Sequence, residues 1–166
     1  VVQDYVRQRR FMGAKDRRAV TDTVFAAIRA RARTSWWLAL AAGNDPEQAG
    51  AAAAESPADA RARVFAERIL NAGWTAEQLA QACDGTGYNP PPPEGDEPAL
   101  LQALEGQPLD DPRQPDWVRL ETPAWLLPAF REAFGEAAAR ELTALHQEAP
   151  VDLRVNRLLA DGPREV

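Results

Sequence analysis

The chain has 166 residues and a formal net charge of −6, and 45% of its residues are hydrophobic. This length suits one domain, or one domain and the start of another. One cysteine and one histidine exclude an internal disulfide and the usual zinc ligand sets. No stretch approaches the ~20 apolar residues needed to cross a membrane, and no signal peptide is recognisable. We therefore expect a cytoplasmic protein without a metal or membrane contact.

Basic residues are concentrated at the start of the chain. Residues 1–33 carry nine basic and three acidic residues, a net charge of +6, within a chain whose overall charge is −6. Such segregation points to a polyanion partner, and a helix start also attracts phosphate. The alternative is that these side chains pair with acids or cover a solvated helix face. The residues that we predict to contact RNA are Arg9, Arg10, Lys15, Arg17, Arg18, Arg29 and Arg33.

The first part of the chain is predicted to be helical. A short helix spans residues 2–10 and is followed by a turn at Gly13, where a positive φ can end a helix. Asp16 is predicted to cap a long helix over residues 17–42, and residues 44–56 are alanine-rich and weakly patterned. The inward positions of the long helix recur at helical spacing: Val20, Val24, Ala27, Ile28 and Leu38.

Three further helices have clear start signals. Ser56, followed by proline, begins a helix over residues 57–71. Thr75 begins the next helix, and Gln78 completes its capping box. A short helix over residues 98–104 follows, and a glycine stops it.

Prolines and acids dominate the connecting segments. Residues 85–97 contain four consecutive prolines and are predicted to form a solvated loop. Residues 107–122 are predicted to be extended, and helices are predicted over 124–134 and 136–147. Residues 151–158 alternate with period two, which predicts a strand. The apolar residues expected to anchor the extended segment are Leu109, Trp117, Val118 and Leu120.

The aromatic residues have two interpretations. Trp36 and Trp37 could form a stacking platform for bases, but on an alanine-rich amphipathic helix at least one is expected to lie in the core. Trp117 and Trp125 are expected to pin the extended segment and the next helix to the bundle.

The single cysteine, the single histidine and the clustered acids do not form a recognisable catalytic site in the sequence. Cys83 is interpreted as an ordinary small helix residue, and His146 as a surface residue near a helix end. Three acids could imitate a metal site, but their proline-broken spacing favours a solvated loop: Asp110, Asp111 and Asp116.

Three stretches resemble one known family. Residues 13–20 (GAKDRRAV) and 24–29 (VFAAIR) resemble the DRA…VYGVLR opening of the Sun/Fmu (RsmB-like) RNA cytosine methyltransferases. Residues 123–130 (PAWLLPAF), followed by Phe134-Gly135, resemble the family's PxWL…FG helix. Residues 149–156 (APVDLRVN) resemble the entry to its ferredoxin-like subdomain. Order and spacing agree from the first stretch to the last.

The resemblance implies a domain organisation. It predicts a NusB-like RNA-binding helical domain over 1–106, an extended tether and helix pair over 107–148, and the start of a truncated ferredoxin-like subdomain over 149–166. The expected fold class is therefore all-α: a NusB-like helical bundle, a helix pair and the first strand of that subdomain. In the family, S-adenosylmethionine binding and two-cysteine chemistry belong to a later catalytic domain. None of its motifs occurs here, so we assign no catalytic or cofactor-binding residue and expect no methylation by this region alone.

The functional hypothesis follows from the resemblance and the charge pattern. This region is predicted to bind ribosomal RNA and to position it for cytosine-5 methylation, with S-adenosylmethionine as cofactor, by the protein's own C-terminal methyltransferase domain. The alternative is a free-standing NusB-like module that binds RNA or protein without catalysis. The predicted strand discriminates between them, because a free-standing bundle has no use for an unpaired strand at its end.

Overall fold

The computed structural model describes residues 2–9, 11–55 and 59–147. Within these ranges the regular structure is helical and contains no strand, which confirms the all-α class for this part of the chain. No helix there is long and apolar enough to cross a membrane. The predicted strand over 151–158, the helix start at Ser56 and the basic residue Arg10 lie outside the described residues.

The elements are α1 (Val2–Gln8), α2 (Ala14–Arg29), α3 (Arg31–Ala41), α4 (Pro46–Glu55), α5 (Ala60–Leu70), α6 (Ala76–Ala82), α7 (Glu97–Leu104), α8 (Asp116–Arg119), α9 (Leu127–Phe134) and α10 (Ala138–Leu145), with a 3-10 turn over Gly135–Ala137.

Helix α3 is the centre of the bundle, where it contacts α4, α5, α7 and α8. Trp36 and Trp37 on α3 are both buried, with their rings 5.1 Å apart in an edge-to-face arrangement. Their indole N–H groups donate to the carbonyls of Pro46 and Leu109, at 3.0 and 3.2 Å. Both tryptophans are therefore core residues, and neither can stack on an RNA base.

Helix α4 forms in the weakly patterned alanine-rich stretch because it packs closely on its neighbours. Ala49 is fully buried against the core, and small side chains allow this approach. A Cβ atom added at Gly50 would lie 3.0 Å from the ring of Pro115, so glycine is the residue that fits this contact. Tertiary packing rather than an amphipathic pattern explains this helix.

The predicted helix over 17–42 is wrong in one respect, because it is broken at Ala30. The Glu121 carboxylate accepts hydrogen bonds from the backbone N–H groups of Ala32 and Arg33, at 2.7 and 3.0 Å. It thereby caps α3 as a separate helix. Glu121 has φ +48°, so its own backbone sits in the left-handed region. The cap is 88 residues away from Arg33 in sequence, which explains why local patterning predicts one continuous helix.

The other helix starts differ in how closely they follow the predictions. The capping box of α6 is confirmed, with Thr75 and Gln78 exchanging hydrogen bonds of 3.0 and 3.1 Å. Helix α2 starts at Ala14, with Gly13 as its N-cap, and Asp16 accepts the Gly13 N–H at 3.0 Å. The predicted role of Asp16 as the capping residue itself is therefore wrong, because its carboxylate reaches back from the first turn.

The proline loop is exposed, as predicted, and it is anchored at defined points. The Arg61 guanidinium on α5 donates to the carbonyls of Pro91 and Pro92, at 2.8 and 3.1 Å, and to the Glu97 carboxylate at 2.8 Å. The Asp84 carboxylate holds the other end of the loop through Thr86 and Asn89. Arg61 therefore joins α5, the loop and α7.

Acidification should weaken this anchor. The hydrogen bond from Arg61 is the main reason that the pKa of Glu97 lies below its ordinary value of 4.5. A carboxyl group whose pKa is lowered in the folded state stabilises the fold fully at a pH above its unfolded-state pKa. This stabilisation is lost as the pH falls through the folded-state pKa. Replacing Arg61→Gln should make the acid limb of stability shallower between roughly pH 5 and 3. Urea unfolding across this pH range measures it, and an unchanged acid limb would contradict the role of the pair.

The segment after α7 packs into the bundle. Val118 on α8 is fully buried, and Leu109 and Trp117 lie against the same core, as predicted for three of the four anchors. The prediction of an extended segment over 107–122 is wrong where α8 forms. The main core thus continues past residue 106, where the sequence places a domain boundary. Helices α9 and α10 bury Leu127, Ala138 and Leu142.

The prediction for Trp125 is wrong, because this side chain is 78% exposed. Helix α9 begins at Leu127 rather than at residue 124, which leaves Trp125 in the preceding turn. The buried apolar position at the start of α9 is taken by Leu127 instead.

Candidate nucleic-acid interface

One face of α2 carries the exposed charge of the N-terminal region. Arg18, Asp22, Phe25 and Arg29 follow one another at spacings of four, three and four residues, which places them in one row along the helix. Helix α2 buries none of its side chains. We call the row, together with Lys15 one turn before it, the α2 face. Its residues are Lys15, Arg18, Asp22, Phe25 and Arg29.

Lys15 and Arg18 on the α2 face are exposed, and Arg29 is partly buried. Arg18 is almost fully exposed, and its only charged partner among the described residues is Asp22, at 3.6 Å and likewise exposed. Such a pair on a helix surface contributes a few tenths of a kcal/mol. Lys15 and Arg29 form no ion pair or side-chain hydrogen bond within the described ranges. All three can therefore meet a phosphate without first breaking a strong interaction.

Arg9 and Arg17 have partial structural roles beside the α2 face. The Arg9 guanidinium lies 3.4 Å from the ring centre of Tyr5 and donates to the Tyr5 carbonyl at 3.2 Å. The Arg17 Nε–H donates to the Met12 carbonyl at 3.0 Å. These contacts order the turn between α1 and α2. Each guanidinium retains further N–H donors.

Arg33 differs from the other predicted RNA contacts because its guanidinium is bound to acidic side chains within the fold. Its guanidinium donates to Glu121 at 2.9 Å and to Asp110 at 3.0 Å. Burial by itself lowers the pKa of Arg33, but the bonds to Glu121 and Asp110 outweigh that effect and raise it. Burial raises the pKa of the Glu121 carboxyl, and the bonds from Arg33 and Ala32 offset part of this. We therefore omit Arg33 from the proposed contacts.

Arginines of α3 and α5 lie near the junction between α2 and α3. The pKa of Arg63 on α5 is lowered, first by burial and then by the nearby positive charge of Arg31. Arg68, also on α5, donates to the Thr23 hydroxyl of α2 at 2.8 Å. Arg68 also forms an ion pair with Glu67 at 2.9 Å, so its charge is balanced within α5.

The aromatic rings that are exposed, and could stack on a base, are not those of Trp36 and Trp37, which the sequence suggested. Phe25 is 44% exposed in the middle of the α2 face. Phe11 and Tyr88 stack on each other with ring centres 4.6 Å apart, and both are exposed. The spacing of Phe25, seven residues after Arg18 and four before Arg29, places it in their row, but it does not predict that the ring is exposed.

The acids of the segment before α9 are paired with arginines. Asp111 accepts two hydrogen bonds from the Arg113 guanidinium, and these are the main reason that its pKa is lowered. Asp116 pairs with Arg131 at 2.5 Å. No group of three metal-ligating side chains occurs within the described ranges. The interpretation of these acids as a merely solvated loop is therefore corrected: Asp110, Asp111 and Asp116 fix the segment through arginines.

Cys83 lies at the end of α6 and is buried. Burial raises the pKa of its thiol, which lowers the thiolate fraction at neutral pH. The burial of Cys83 therefore agrees with its interpretation as a small packing residue. His146, which follows α10 as its C-cap, is partly exposed.

Comparison with known proteins gives no match: no family model, curated protein or solved structure resembles this chain closely enough to be assigned. The α2 face and the sequence motifs are therefore the features from which a function is inferred.

Proposed function

We propose that this chain is the RNA-binding N-terminal portion of an S-adenosylmethionine-dependent ribosomal-RNA cytosine-5 methyltransferase, with a NusB-like bundle. In this proposal the α2 face holds RNA for the protein's own methyltransferase domain. The observation that carries it is the row of Lys15, Arg18 and the partly buried Arg29 around an exposed aromatic ring, in an otherwise acidic chain. The methyltransferase assignment rests on the resemblance of residues 13–29, 123–135 and 149–156 to that family.

The charge distribution supports a restricted contact. The part of the chain after residue 33 is strongly acidic and repels phosphate, so RNA is confined to the basic region. Phosphate contacts supply affinity and register but little sequence information. We therefore expect moderate affinity and modest selectivity, with strong dependence on salt. The proposed contacts among the described residues are Arg9, Lys15, Arg17, Arg18 and Arg29.

Salt dependence provides the test. Three or four phosphate contacts on unpaired RNA should give a log–log salt slope of about −2 to −3, at roughly −0.7 per contact. Replacing Lys15, Arg18 and Arg29 together by glutamine should flatten the slope by about 2 units and weaken binding at low salt. Fluorescence anisotropy on a labelled ribosomal-RNA hairpin, between about 50 and 200 mM salt, measures both.

A matched variant separates local contact from net charge. Replacing Arg119, Arg131 and Arg140 by glutamine removes the same number of positive charges from exposed positions near α8, α9 and α10. This control should retain the parent slope. If both triple variants lose affinity equally, or if the parent does not bind, the α2 face is not an RNA site. Circular dichroism should show parental helicity in both variants.

A further inference from the structure

We infer that the α2 face takes single-stranded rather than duplex RNA, with an unpaired base stacked on Phe25. This inference rests on the proposed function and specifies the form of RNA at the same site. Its basis is the placement of the exposed Phe25 ring between the exposed Arg18 and the partly buried Arg29 on one helix face.

The spacing along α2 suits this arrangement. With a rise of about 1.5 Å per residue, Arg18 lies about 10 Å from Phe25 along the helix axis, and Arg29 about 6 Å beyond it. The two guanidiniums can therefore contact phosphates on either side of a base that covers the ring. Backbone contacts combined with base–aromatic stacking are the usual way in which proteins hold unpaired strands.

Phe25 is only partly covered by the fold, and 44% of its surface is exposed. Its ring forms no stacked pair with another described aromatic residue, unlike Phe11 and Tyr88. Ile28, one turn further on, is also exposed, so its predicted inward position is wrong. An apolar platform edged by cations fits a base and its phosphates.

Duplex RNA cannot use this platform. Its bases are already stacked within the A-form helix, and side chains cannot enter its deep, narrow major groove. A duplex can contact only the cations of the α2 face. Single strands should therefore bind more tightly than duplexes of equal length, and the difference should depend on Phe25.

Substitutions at Phe25 separate ring stacking from apolar bulk. Phe25→Tyr keeps an aromatic ring, Phe25→Leu keeps an apolar side chain, and Phe25→Ala removes both. The control is Phe134→Ala, because Phe134 on α9 is 48% exposed and so matches Phe25 in accessibility. The probes are a labelled oligo-uridine strand and the same strand annealed to its oligo-adenine complement, both followed by anisotropy.

Loss of the ring should weaken single-strand binding by about 5- to 100-fold in both Phe25→Ala and Phe25→Leu, without changing the salt slope. Phe25→Tyr and Phe134→Ala should bind as the parent does, and duplex affinity should be the same in all variants. If Phe25→Leu binds the single strand as tightly as the parent does, the inference about base stacking is overturned. The same holds if the parent binds duplex and single strand equally, and in both cases the proposed function still stands. A parent that binds neither RNA would overturn the proposed function too, and would leave the α2 face to a protein partner.

Discussion

Replacing Glu121→Ala should destabilise the fold by about 3–5 kcal/mol, because it leaves the charge of Arg33 in a largely buried site without its main partner. The Glu121 side chain is 5% exposed, and its carboxylate satisfies two backbone N–H groups as well as the guanidinium. All three donors lose their acceptor together. Urea unfolding followed by circular dichroism at 222 nm, a standard helix wavelength, measures the change as a lower midpoint.

The matched control is Asp110→Ala. Asp110 contacts the same guanidinium at 3.0 Å, but its side chain is 69% exposed. Its loss should cost no more than about 1 kcal/mol, because solvent replaces an exposed partner. Replacing both Arg33→Met and Glu121→Gln should recover part of the stability, since no buried charge then lacks a partner. Equal losses for Glu121→Ala and Asp110→Ala would show that burial does not set the strength of this interaction.

Replacing Trp36→Ala should cost about 3–5 kcal/mol through the cavity left in the core. The side chain of Trp36 is 0% exposed and packs where α3 meets its neighbours. Its N–H bond to the Pro46 carbonyl at the start of α4 is lost as well. The variant should unfold at clearly lower urea concentration than the parent.

Trp125→Ala is the control for this substitution, since it removes the same side chain from a site that is 78% exposed. Its effect should be within about 0.5 kcal/mol, as for other surface substitutions. A comparable loss from Trp125→Ala would indicate that this tryptophan is covered in solution. Both variants should be compared by the same urea titration, with RNA affinity as a second measurement. Trp125→Ala should leave that affinity unchanged.

The basic residues of the candidate site could be predicted from the sequence. The charge difference between residues 1–33 and the rest marked the basic region, and helical periodicity placed Arg18 and Arg29 in one row. Both inferences depend only on local order in the chain. The exposure of Phe25 did not follow from sequence, because an apolar residue on a helix is ordinarily assigned to the core. Only the neighbouring elements determine which apolar side chains remain uncovered.

The sequence by itself determined the helices whose ends are fixed by nearby residues. Helix α6 illustrates this, since Thr75 and Gln78 form its capping box within one turn. Tertiary structure decided the features that join distant segments: the break at Ala30, the interior role of Arg33 and the burial of both Trp36 and Trp37. The first two follow from Glu121, whose carboxylate binds Arg33 and backbone N–H groups of α3 far away in the chain. The third follows from the packing of α3 against its neighbours. Local propensity does not encode the Glu121 contact, and packing of the segment after α7 against α3 creates it.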